Sequence, residues 1–309
     1  MHNKKYLISI SGPTAIGKTG LAIFLAEQLS TEIISCDSRQ FYKEMKIGTA
    51  VPSQKELDKV PHHFIQHLSI FDNYSVGDFE KDALKKIDEL FKTHDTLIMV
   101  GGSGLYEKAV TEGLDEFPEV DSSIREKLNS EWKEFGLEKL QQELEEVDPV
   151  YYEEVDLKNP IRIIRALEVY RSSGKPFSSF RIQNKTKRDF KIVKISLDLP
   201  REEIYERINR RVDVMMNEGL LKEAMELFPH KHLNSLQTVG YRELFDFFEG
   251  KTDLETAIEE IKKNTRRYSK RQLTWNRKDK SREWFSPKEK NKILNYILTQ
   301  TQQVNHNSY

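Results

Sequence analysis

The sequence has little cysteine and no long hydrophobic run, and each absence excludes a class of protein. Cys36 is the only cysteine in 309 residues, so no disulfide forms within the chain and we expect no metal site built from cysteines. No apolar stretch approaches the roughly 20 residues that a membrane helix needs. The strand-like segment near the start is too short and too polar for a signal peptide. We therefore expect a soluble protein of the cytosol.

The net charge of −1 hides an uneven distribution of charge along the chain. Glu112 to Asp156 contains 16 acidic and 4 basic residues, a net charge of −12. Lys158 to Lys194 (11 basic, 2 acidic) and Lys262 to Arg282 (10 basic, 1 acidic) each carry +9. Basic blocks of this density favour a polyanion as partner, although a solvated helix face has the same composition.

The first hundred residues alternate short apolar runs with segments of helical spacing. Tyr6–Ser11, Ile33–Ser35 and Leu97–Val100 have the composition of buried strands. Thr19–Leu29 has helical spacing, and Ser75 begins a second helix with a capping-box pattern. This rhythm predicts an α/β fold with a parallel sheet and helices on both of its faces.

The periodicity becomes helical from Ser122 to about Arg171 and strand-like again at Ile192–Leu199. Because a strand follows these helices, we interpret them as an insertion into the α/β core and not as a tandem domain. The predicted insertion is residues 116–188, within a core formed by residues 1–115 and 189–309.

Several helix boundaries are also predicted. Asn159-Pro160 is the pattern of an N-cap followed by a first-turn proline. Beyond Pro200 we expect helices nearly to the end of the chain. One long helix among them is expected to begin with the cap Thr252-x-x-Glu255.

A phosphate-binding loop is the strongest motif in the sequence. The segment from Gly12 to Thr19 matches the pattern G-x-x-x-x-G-K-[ST] in full, after a predicted strand and before a predicted helix. Its glycines allow backbone N–H groups to turn toward an anion at the helix N-terminus. Lys18 adds a positive charge, and the Thr19 hydroxyl is a ligand for Mg²⁺. The core is therefore predicted to be P-loop NTPase-like.

The motif does not determine what happens to the phosphate. Nucleotide hydrolases place a magnesium-binding aspartate at the end of a second apolar strand, whereas Leu97–Val100 runs into the glycine-rich segment Gly101–Gly104. A carboxylate stands instead at Asp37, after the shorter strand. In a parallel sheet this position faces the same crevice as the phosphate loop. Asp37 could therefore act on a second substrate, or it could simply cap a turn.

Together these segments resemble the tRNA dimethylallyltransferases of bacterial type. The resemblance spans nearly the whole chain, in order and spacing. It is carried by Gly12 to Thr19, Asp37-Ser38-Arg39-Gln40, Ile47-Gly48-Thr49-Ala50, Pro61-His62-His63, Gly101 to Tyr106, Asn159-Pro160-x-Arg162-x-x-Arg165, Val239-Gly240-Tyr241-Arg242-Glu243 and Lys270-Arg271-Gln272-x-Thr274-Trp275-x-Arg277.

The resemblance implies transfer of a dimethylallyl group from its diphosphate to N6 of the adenosine that follows the anticodon, tRNA position 37. Mg²⁺ is the implied cofactor, and we expect a monomer. Asp37 is implied as the base that accepts the amine proton, with Thr14, Lys18 and Arg211 as further catalytic residues. The implied diphosphate-binding residues are Gly12, Pro13, Thr14, Ala15, Ile16, Gly17, Lys18 and Thr19.

The implied tRNA contacts come from five segments. They are Asp37, Ser38, Arg39 and Gln40; Ser103; Ile161, Arg162, Ile163, Ile164 and Arg165; Gln237, Thr238, Val239, Gly240, Tyr241 and Arg242; and Lys270, Arg271, Gln272, Leu273, Thr274, Trp275, Asn276 and Arg277. Three positions depart from the family pattern. Ile16 stands where serine is usual, Ser103 replaces threonine, and Ile161 replaces glutamine, which puts one tRNA contact in doubt.

Three other functions remain open at this point. A related prenyltransferase could act on free AMP or ATP, although such a substrate does not need the basic segment near Lys270. A small-molecule kinase has the same loop, and an RNA-binding protein could carry an inactive one. For His62, His63 and His67 we expect packing or hydrogen bonding, because no carboxylate or cysteine stands at ligand spacing.

Overall fold

The chain forms two compact units. The computed structural model describes residues 4–181 and 186–302. Met1–Glu112 and Arg188–Tyr309 together form one unit, here called the core unit, and Gly113–Lys187 forms the other, the helical unit. No helix in the described ranges is both long enough and apolar enough to cross a bilayer.

One six-stranded sheet organises the core unit, and all its paired strands run parallel. The strands are β1 (Tyr6–Ser11), β2 (Ile33–Ser35), β3 (His62–His63), β4 (Thr96–Val100), β5 (Lys191–Leu197) and β6 (Glu283–Phe285). Their order is β3-β2-β4-β1-β5-β6, so β1 lies between β4 and β5. Ile10 is in register with Val100 and with Ile195, which brings the carboxyl ends of the central strands to one edge. The predicted parallel α/β sheet is confirmed.

The residues of β1 show why this sheet is covered on both faces. Ile8 and Ile10 pack with Leu21 of the first helix in one core cluster. Leu7, which points the other way because strand side chains alternate, packs with Phe79 and other residues in a second cluster. All six residues of β1 are buried. Burial on both faces explains why β1 is largely apolar along its length instead of alternating with exposed polar residues.

The helices fall into two groups. Those of the core unit are α1 (Lys18–Leu29), α2 (Gln54–Leu57), α3 (Val76–Leu90), α4 (Gly104–Glu112), α10 (Arg201–Asn217), α11 (Leu220–Leu227), α12 (Tyr241–Phe248), α13 (Leu254–Arg277) and α14 (Lys290–Gln302). Those of the helical unit are α5 (Ser122–Phe135), α6 (Leu137–Val147), α7 (Pro149–Glu154), α8 (Pro160–Ser173) and α9 (Phe177–Phe180). Short 3₁₀ turns occur at Phe228–His230 and Asn234–Leu236.

The predicted helix starts are borne out in two places and corrected in one. Ser75 caps α3 in a capping box with Asp78, and Asn159 caps α8 ahead of Pro160. The expected cap at Thr252 is wrong, because α13 begins at Leu254 and the Asp253 side chain accepts the Thr256 N–H, 2.8 Å away. A carboxylate is as good an N-cap acceptor as a hydroxyl.

Two strands were not predicted. β3 has two residues and β6 has three, which is too short for an alternation to be visible. The expectation of helices throughout the region beyond Pro200 is therefore wrong at Glu283–Phe285. These residues form a strand because they pair with β5, with Glu283 opposite Ile195.

The three histidines pack or form hydrogen bonds. His63 Nε2 lies 2.7 Å from Glu32 Oε2, and His62 Nδ1 lies 2.7 Å from the Val60 carbonyl. The His67 ring meets the Phe41 ring edge-on, with centroids 5.2 Å apart. These contacts are of the two kinds, packing and hydrogen bonding, that the sequence predicts for the three side chains.

The helical unit has its own core. Leu140 and Leu144 of α6 pack with buried residues of α5 and α8. Arg171 near the end of α8 joins the acidic side chains of two helices, with Glu131 at 2.8 Å and Glu143 at 2.5 Å. Both carboxylates raise the pKa of Arg171 further above its usual range. Two carboxylates of the acidic segment Glu112 to Asp156 are thus neutralised by an ion pair with Arg171.

A buried ion pair supports the strand that precedes the phosphate loop. Arg282 and Glu107 are joined by two hydrogen bonds of 2.9 and 2.8 Å, and both side chains are almost fully buried. Arg282 also donates to the Ser11 hydroxyl at 2.7 Å. Removing one partner of such a pair leaves an uncompensated buried charge, which typically costs about 3–5 kcal/mol. Ser11, the residue before Gly12, is held in place by this pair.

Candidate active site

The phosphate loop connects β1 to the N-terminus of α1. Gly12 and Gly17 have φ values of 151° and 102°, and Ala15 also has a positive φ of 64°. At Gly12 a Cβ would lie 3.1 Å from the Leu197 carbonyl at the end of β5. The loop therefore needs glycine both for its backbone angles and for its close approach to β5. Such a turn before a helix N-terminus is an anion-binding arrangement.

The Lys18 ammonium is held over the phosphate loop. Its Nζ donates to the carbonyls of Gly12 and Pro13, at 3.0 and 2.9 Å. Burial lowers the pKa of Lys18 to about 8, the attraction of Asp37 opposes this, and Arg211 adds to the lowering. An anion in the loop would favour the charged form of the amine.

Asp37 stands at the carboxyl end of β2. The Cys36 N–H continues the sheet by donating to the Val100 carbonyl at 2.8 Å, which directs the chain toward the site. Asp37 Oδ1 accepts the Arg39 N–H at 3.2 Å. The carboxylate is half-buried and acts electrostatically on both Lys18 and Arg211. Buried Cys36, whose pKa is raised mainly by burial, is not placed as a nucleophile.

The glycine loop, Gly101–Gly104, follows β4 and is filled by protein side chains. At Gly102 a Cβ would lie 2.6 Å from Gln272 Nε2, and at Gly104 it would lie 2.2 Å from Trp275 Nε1. These two glycines therefore let α13 approach the carboxyl end of β4, and they also line the cavity described below. Ser103 contacts Ser38, whose N–H lies 3.1 Å from the Ser103 hydroxyl oxygen.

A cavity of about 570 Å³ lies between these loops, wholly within the core unit. This is within the usual range for small-molecule sites, about 300–1,000 Å³. Its polar wall includes the cations Lys18, Arg39 and Arg211. Asp37 is the only carboxylate among the described residues that line it. A cavity of this kind combines anion binding with one proton acceptor.

The cavity also has an apolar wall that the sequence did not indicate. It is formed by side chains of α10, α11 and α13. These side chains are Ile208, Val212, Met215, Leu220 and Ile261. Because residues from three helices meet here, no local motif marks them, and only their helical periodicity was visible in the sequence.

Two arginines of α10 lie one helical turn apart near the phosphate loop. Arg211 lines the cavity, and its pKa is lowered by burial and raised by Asp37. Arg207 donates to the Ile16 carbonyl at 3.3 Å and to Glu203 at 2.8 Å. Arg211 is thus placed at the cavity, while Arg207 holds the loop backbone.

Many of the predicted tRNA-contacting residues of the core unit line the same cavity. These are Asp37, Ser38, Arg39, Ser103, Gln237, Thr238, Val239, Gly240, Arg242, Arg271, Gln272, Trp275 and Asn276. Lys270 and Thr274 line a shallow depression on the outer side of α13, together with Lys278. Leu273 packs against the main core cluster, and Arg277 contacts Asp198 at 3.0 Å.

Tyr241 and Gln40 serve the protein itself. Tyr241 is fully buried and donates to Glu223 at 2.6 Å, so its side chain does not reach the surface for the predicted RNA contact. A Cβ on Gly48 would lie 2.6 Å from the Tyr241 ring. Gln40 Nε2 donates to the carbonyls of Thr49 and Ala50, at 3.2 and 3.0 Å. The Ile47–Ala50 segment is therefore in contact with both side chains.

The predicted segment Ile161–Arg165 lies on α8 of the helical unit. Ile161 is 73% exposed, and Arg162 is also exposed. Arg165 is half-buried, with its guanidinium 5.4 Å from the centre of the Phe117 ring. Ile163 and Ile164 are buried in the core of that unit. Only Ile161, Arg162 and Arg165 therefore present surface to a partner.

The phosphate loop follows the central strand of a parallel sheet and faces a cavity with cations and one carboxylate. This arrangement is that of a P-loop enzyme that binds a phosphorylated substrate. The profile of the IPP transferase family matches residues 40–279. The chain belongs to this family, and it is a transferase.

Named relatives agree over nearly their full length. The chain is 61% identical over 293 residues to the tRNA dimethylallyltransferase of Christiangramia forsetii, covering 94% of this chain and 97% of the relative. It is 56% identical over 301 residues to that of Flavobacterium johnsoniae, covering 95% and 97%. Similarity of this extent leaves no large part of the chain unmatched.

Solved structures show the same fold. The full-length tRNA isopentenylpyrophosphate transferase of Bacillus halodurans has a TM-score of 0.72 at 36% identity, covering 98% of this chain and all of that one. A eukaryotic dimethylallyltransferase acting on tRNA has a TM-score of 0.73 at 28% identity, covering 88% of this chain and 69% of that one. These structures confirm the predicted P-loop NTPase-like core.

Proposed function

We propose that this protein transfers a dimethylallyl group from dimethylallyl diphosphate to N6 of the adenosine next to the anticodon of tRNA. The products are N6-isopentenyladenosine and diphosphate. The observation that carries the proposal is the single cavity in which the phosphate-loop lysine, Lys18, and the carboxylate of Asp37 both stand. The named relatives support the same reaction.

The phosphate-loop side of the cavity suits the donor. Diphosphate gains negative charge as it leaves the allylic carbon, and preorganised cations and N–H groups stabilise that charge. Lys18, Arg211 and the loop amides are the groups available for this. The apolar wall that includes Val212 and Ile261 suits the branched hydrocarbon.

Asp37 is the residue of the cavity that can assist the acceptor, the exocyclic amine of adenine. The exocyclic amine of adenine is a weak nucleophile, because its lone pair is delocalised into the ring. A carboxylate that accepts the amine proton during attack on the allylic carbon makes it a better one. We assign this role to Asp37. The Thr14 hydroxyl also lines the cavity, and we assign it to contact with the reacting centre.

The available oxygen groups fit Mg²⁺ as the cofactor. Mg²⁺ is commonly held by one or two protein groups, by substrate phosphates and by water, and its charge would offset that of the diphosphate. The Thr19 hydroxyl at the start of α1 is the candidate protein ligand. No group of three potential ligands among His, Cys, Asp and Glu occurs within residues 4–181 and 186–302, so the phosphates would supply much of the coordination.

The acceptor base must leave the anticodon-loop stack to enter a cavity of this kind. Lys270, Arg271 and Trp275 on α13 offer phosphate contacts and a stacking surface beside the cavity. Exposed Arg162 of the helical unit is a further candidate for backbone contact. This basic surface favours tRNA over free AMP or ATP as acceptor.

The direct test uses purified protein, dimethylallyl diphosphate, Mg²⁺ and unmodified tRNA. We expect mass spectrometry of the digested nucleosides to detect N6-isopentenyladenosine. AMP and ATP are added as competing acceptors, and ATP hydrolysis is followed in parallel. Absence of the modified nucleoside, or preferential prenylation of AMP, would contradict the proposal.

Asp37→Asn tests the proton acceptor. This substitution keeps the shape of the side chain but removes its basic carboxylate, so we expect turnover to fall by about 10²–10⁴-fold. Binding of tRNA should persist. The matched control is Asp88→Asn, on the exposed side of α3, which should keep full activity. Near wild-type turnover in Asp37→Asn would exclude Asp37 as the base.

A further inference from the structure

Gln272 has both ends of its side chain engaged by the two loops of the site. Its Oε1 accepts the Thr14 N–H at 2.8 Å, and its Nε2 donates to the Gly102 carbonyl at 2.9 Å. A backbone N–H only donates and a carbonyl only accepts, so one orientation of the amide satisfies both. The residue is 8% exposed. One buried side chain therefore bonds the phosphate loop and the glycine loop.

The hydrogen bond to the Thr14 N–H is next to a residue of the phosphate loop with unfavourable backbone angles. The next residue, Ala15, has a φ of 64° without being glycine, a conformation that costs free energy and persists only when the surroundings enforce it. Ser11, just before the loop, is held by Arg282. Gln272 restrains the loop on the side that faces the cavity.

The bond to Gly102 depends on the glycine itself. A Cβ on Gly102 would lie 2.6 Å from Gln272 Nε2 and 3.4 Å from Asp37 Oδ2. Gln272 thus lies close above the glycine loop on the side where Asp37 stands. A change in the Gln272 side chain would alter the position of Thr14 relative to Asp37.

We propose that Gln272 is a positioning residue, which aligns Thr14 of the phosphate loop with the glycine loop so that donor and acceptor meet in register. This rests on the proposed prenyl transfer and assigns Gln272 a role other than contact with RNA. Misplacement of reacting groups by about 1 Å can cost about 10²-fold in rate. The effect should therefore appear in kcat more than in binding.

The test uses Gln272→Met, which has a similar shape but forms neither bond. We expect kcat for prenylation of an anticodon stem-loop RNA to fall by about 10–100-fold in Gln272→Met. The Kd for that RNA should stay near wild type, while the melting temperature should fall modestly, because two buried backbone groups lose their hydrogen-bond partner. The exposed Glu255→Gln on α13 is the control and should keep wild-type kcat.

A double-mutant cycle identifies the group through which Gln272 acts. If it positions Thr14, then Gln272→Met should reduce kcat much less in a Thr14→Ala background than in the wild type, because the positioned hydroxyl is already absent. Additive losses would overturn the proposal. So would a wild-type kcat in Gln272→Met, or a loss of RNA affinity that accounts for the whole loss of rate.

A measurement that needs no activity separates this proposal from the proposed function. Hydrogen exchange of the Thr14 amide in the ligand-free protein should be slow in the wild type and faster in Gln272→Met, since the bonded N–H is released. Equal exchange in the two proteins would overturn the positioning role even if the enzyme prenylates tRNA. An inactive wild-type protein would instead overturn the proposed function alone.

Discussion

The phosphate loop and the glycine loop stand side by side at the ends of β1 and β4, and both depend on glycine for different reasons. Gly12 and Gly17 have backbone angles that few other residues adopt. Gly102 and Gly104 are required by space, since Gln272 and Trp275 of α13 occupy the volume where their Cβ atoms would lie. A glycine-rich turn at a cavity therefore does not by itself indicate a ligand against the backbone. The neighbouring element decides which reason applies.

The largest effect on the rate is expected from a substitution in the phosphate loop, and it tests whether this loop serves the donor only. Lys18→Met removes the cation of the phosphate loop, and loss of one such stabilising group typically costs about 10²–10³-fold in rate. We expect kcat/KM for dimethylallyl diphosphate to fall by that amount while the Kd for tRNA is unchanged. Lys108→Met, an exposed lysine on α4, is the control. If tRNA binding weakened in parallel with the rate, the phosphate loop would not be specific to the donor.

A smaller effect is expected when the glycine loop is filled. In Gly104→Ala the new Cβ would lie 2.2 Å from the Trp275 indole, so α13 must shift, and overpacking of this kind typically costs about 1–3 kcal/mol. We expect weaker tRNA binding in a filter assay and a lower melting temperature, with KM for the donor less affected.

The control for this change is Gly20→Ala. Gly20 is in α1, with nothing within 4 Å of its Cβ position, so the substitution should stabilise the protein by about 0.5–1 kcal/mol. Unaltered tRNA affinity in Gly104→Ala would mean that the glycine loop does not position α13 for RNA.

The smallest effect is in the pH dependence of donor binding. Burial lowers the pKa of Lys18 to about 8, so the charged form is present below this pH and is lost as pH rises through it. At one pH unit above a pKa about a tenth of an amine remains charged. KM for the donor should therefore rise by up to about tenfold between pH 7 and 9.

The variant Lys18→Arg tests the origin of this pH profile. Its guanidinium stays charged over this range, so the rise in KM should disappear, whatever the absolute affinity of the variant. The same rise in Lys18→Arg would assign the pH dependence to another group. Because Lys18 loses its proton more readily in the folded state, it makes the protein less stable at neutral pH, and this cost declines as pH rises above 8.

Much of the core was predictable because its signals are local. The strands β1, β2, β4 and β5 are apolar runs flanked by turn residues, and the phosphate-loop pattern is contiguous. The two short edge strands carry no such signal, since two or three residues become a strand only by pairing with a neighbour. The Asp253 cap was missed because Thr252 beside it fits the same pattern.

The candidate site was predicted in part. Asp37, Lys18 and Arg211 were chosen from the motifs and the family resemblance, and the structure brings them to one cavity, while their roles stay predictions. Tyr241 was also chosen, yet it is buried against Gly48 and Glu223. A motif match cannot distinguish a residue that touches a substrate from one that supports the wall behind it.

By itself, the sequence determined the phosphate loop, the order of the central strands and helices along the chain, and the family. These follow from contiguous patterns whose physical meaning is local: backbone angles, apolar periodicity and capping. The tertiary structure alone decided which residues face the cavity, that α13 fills the glycine loop, and that Gln272 joins this loop to the phosphate loop. Those contacts link residues up to 258 positions apart, and such pairs meet only when the sheet and its covering helices have assembled.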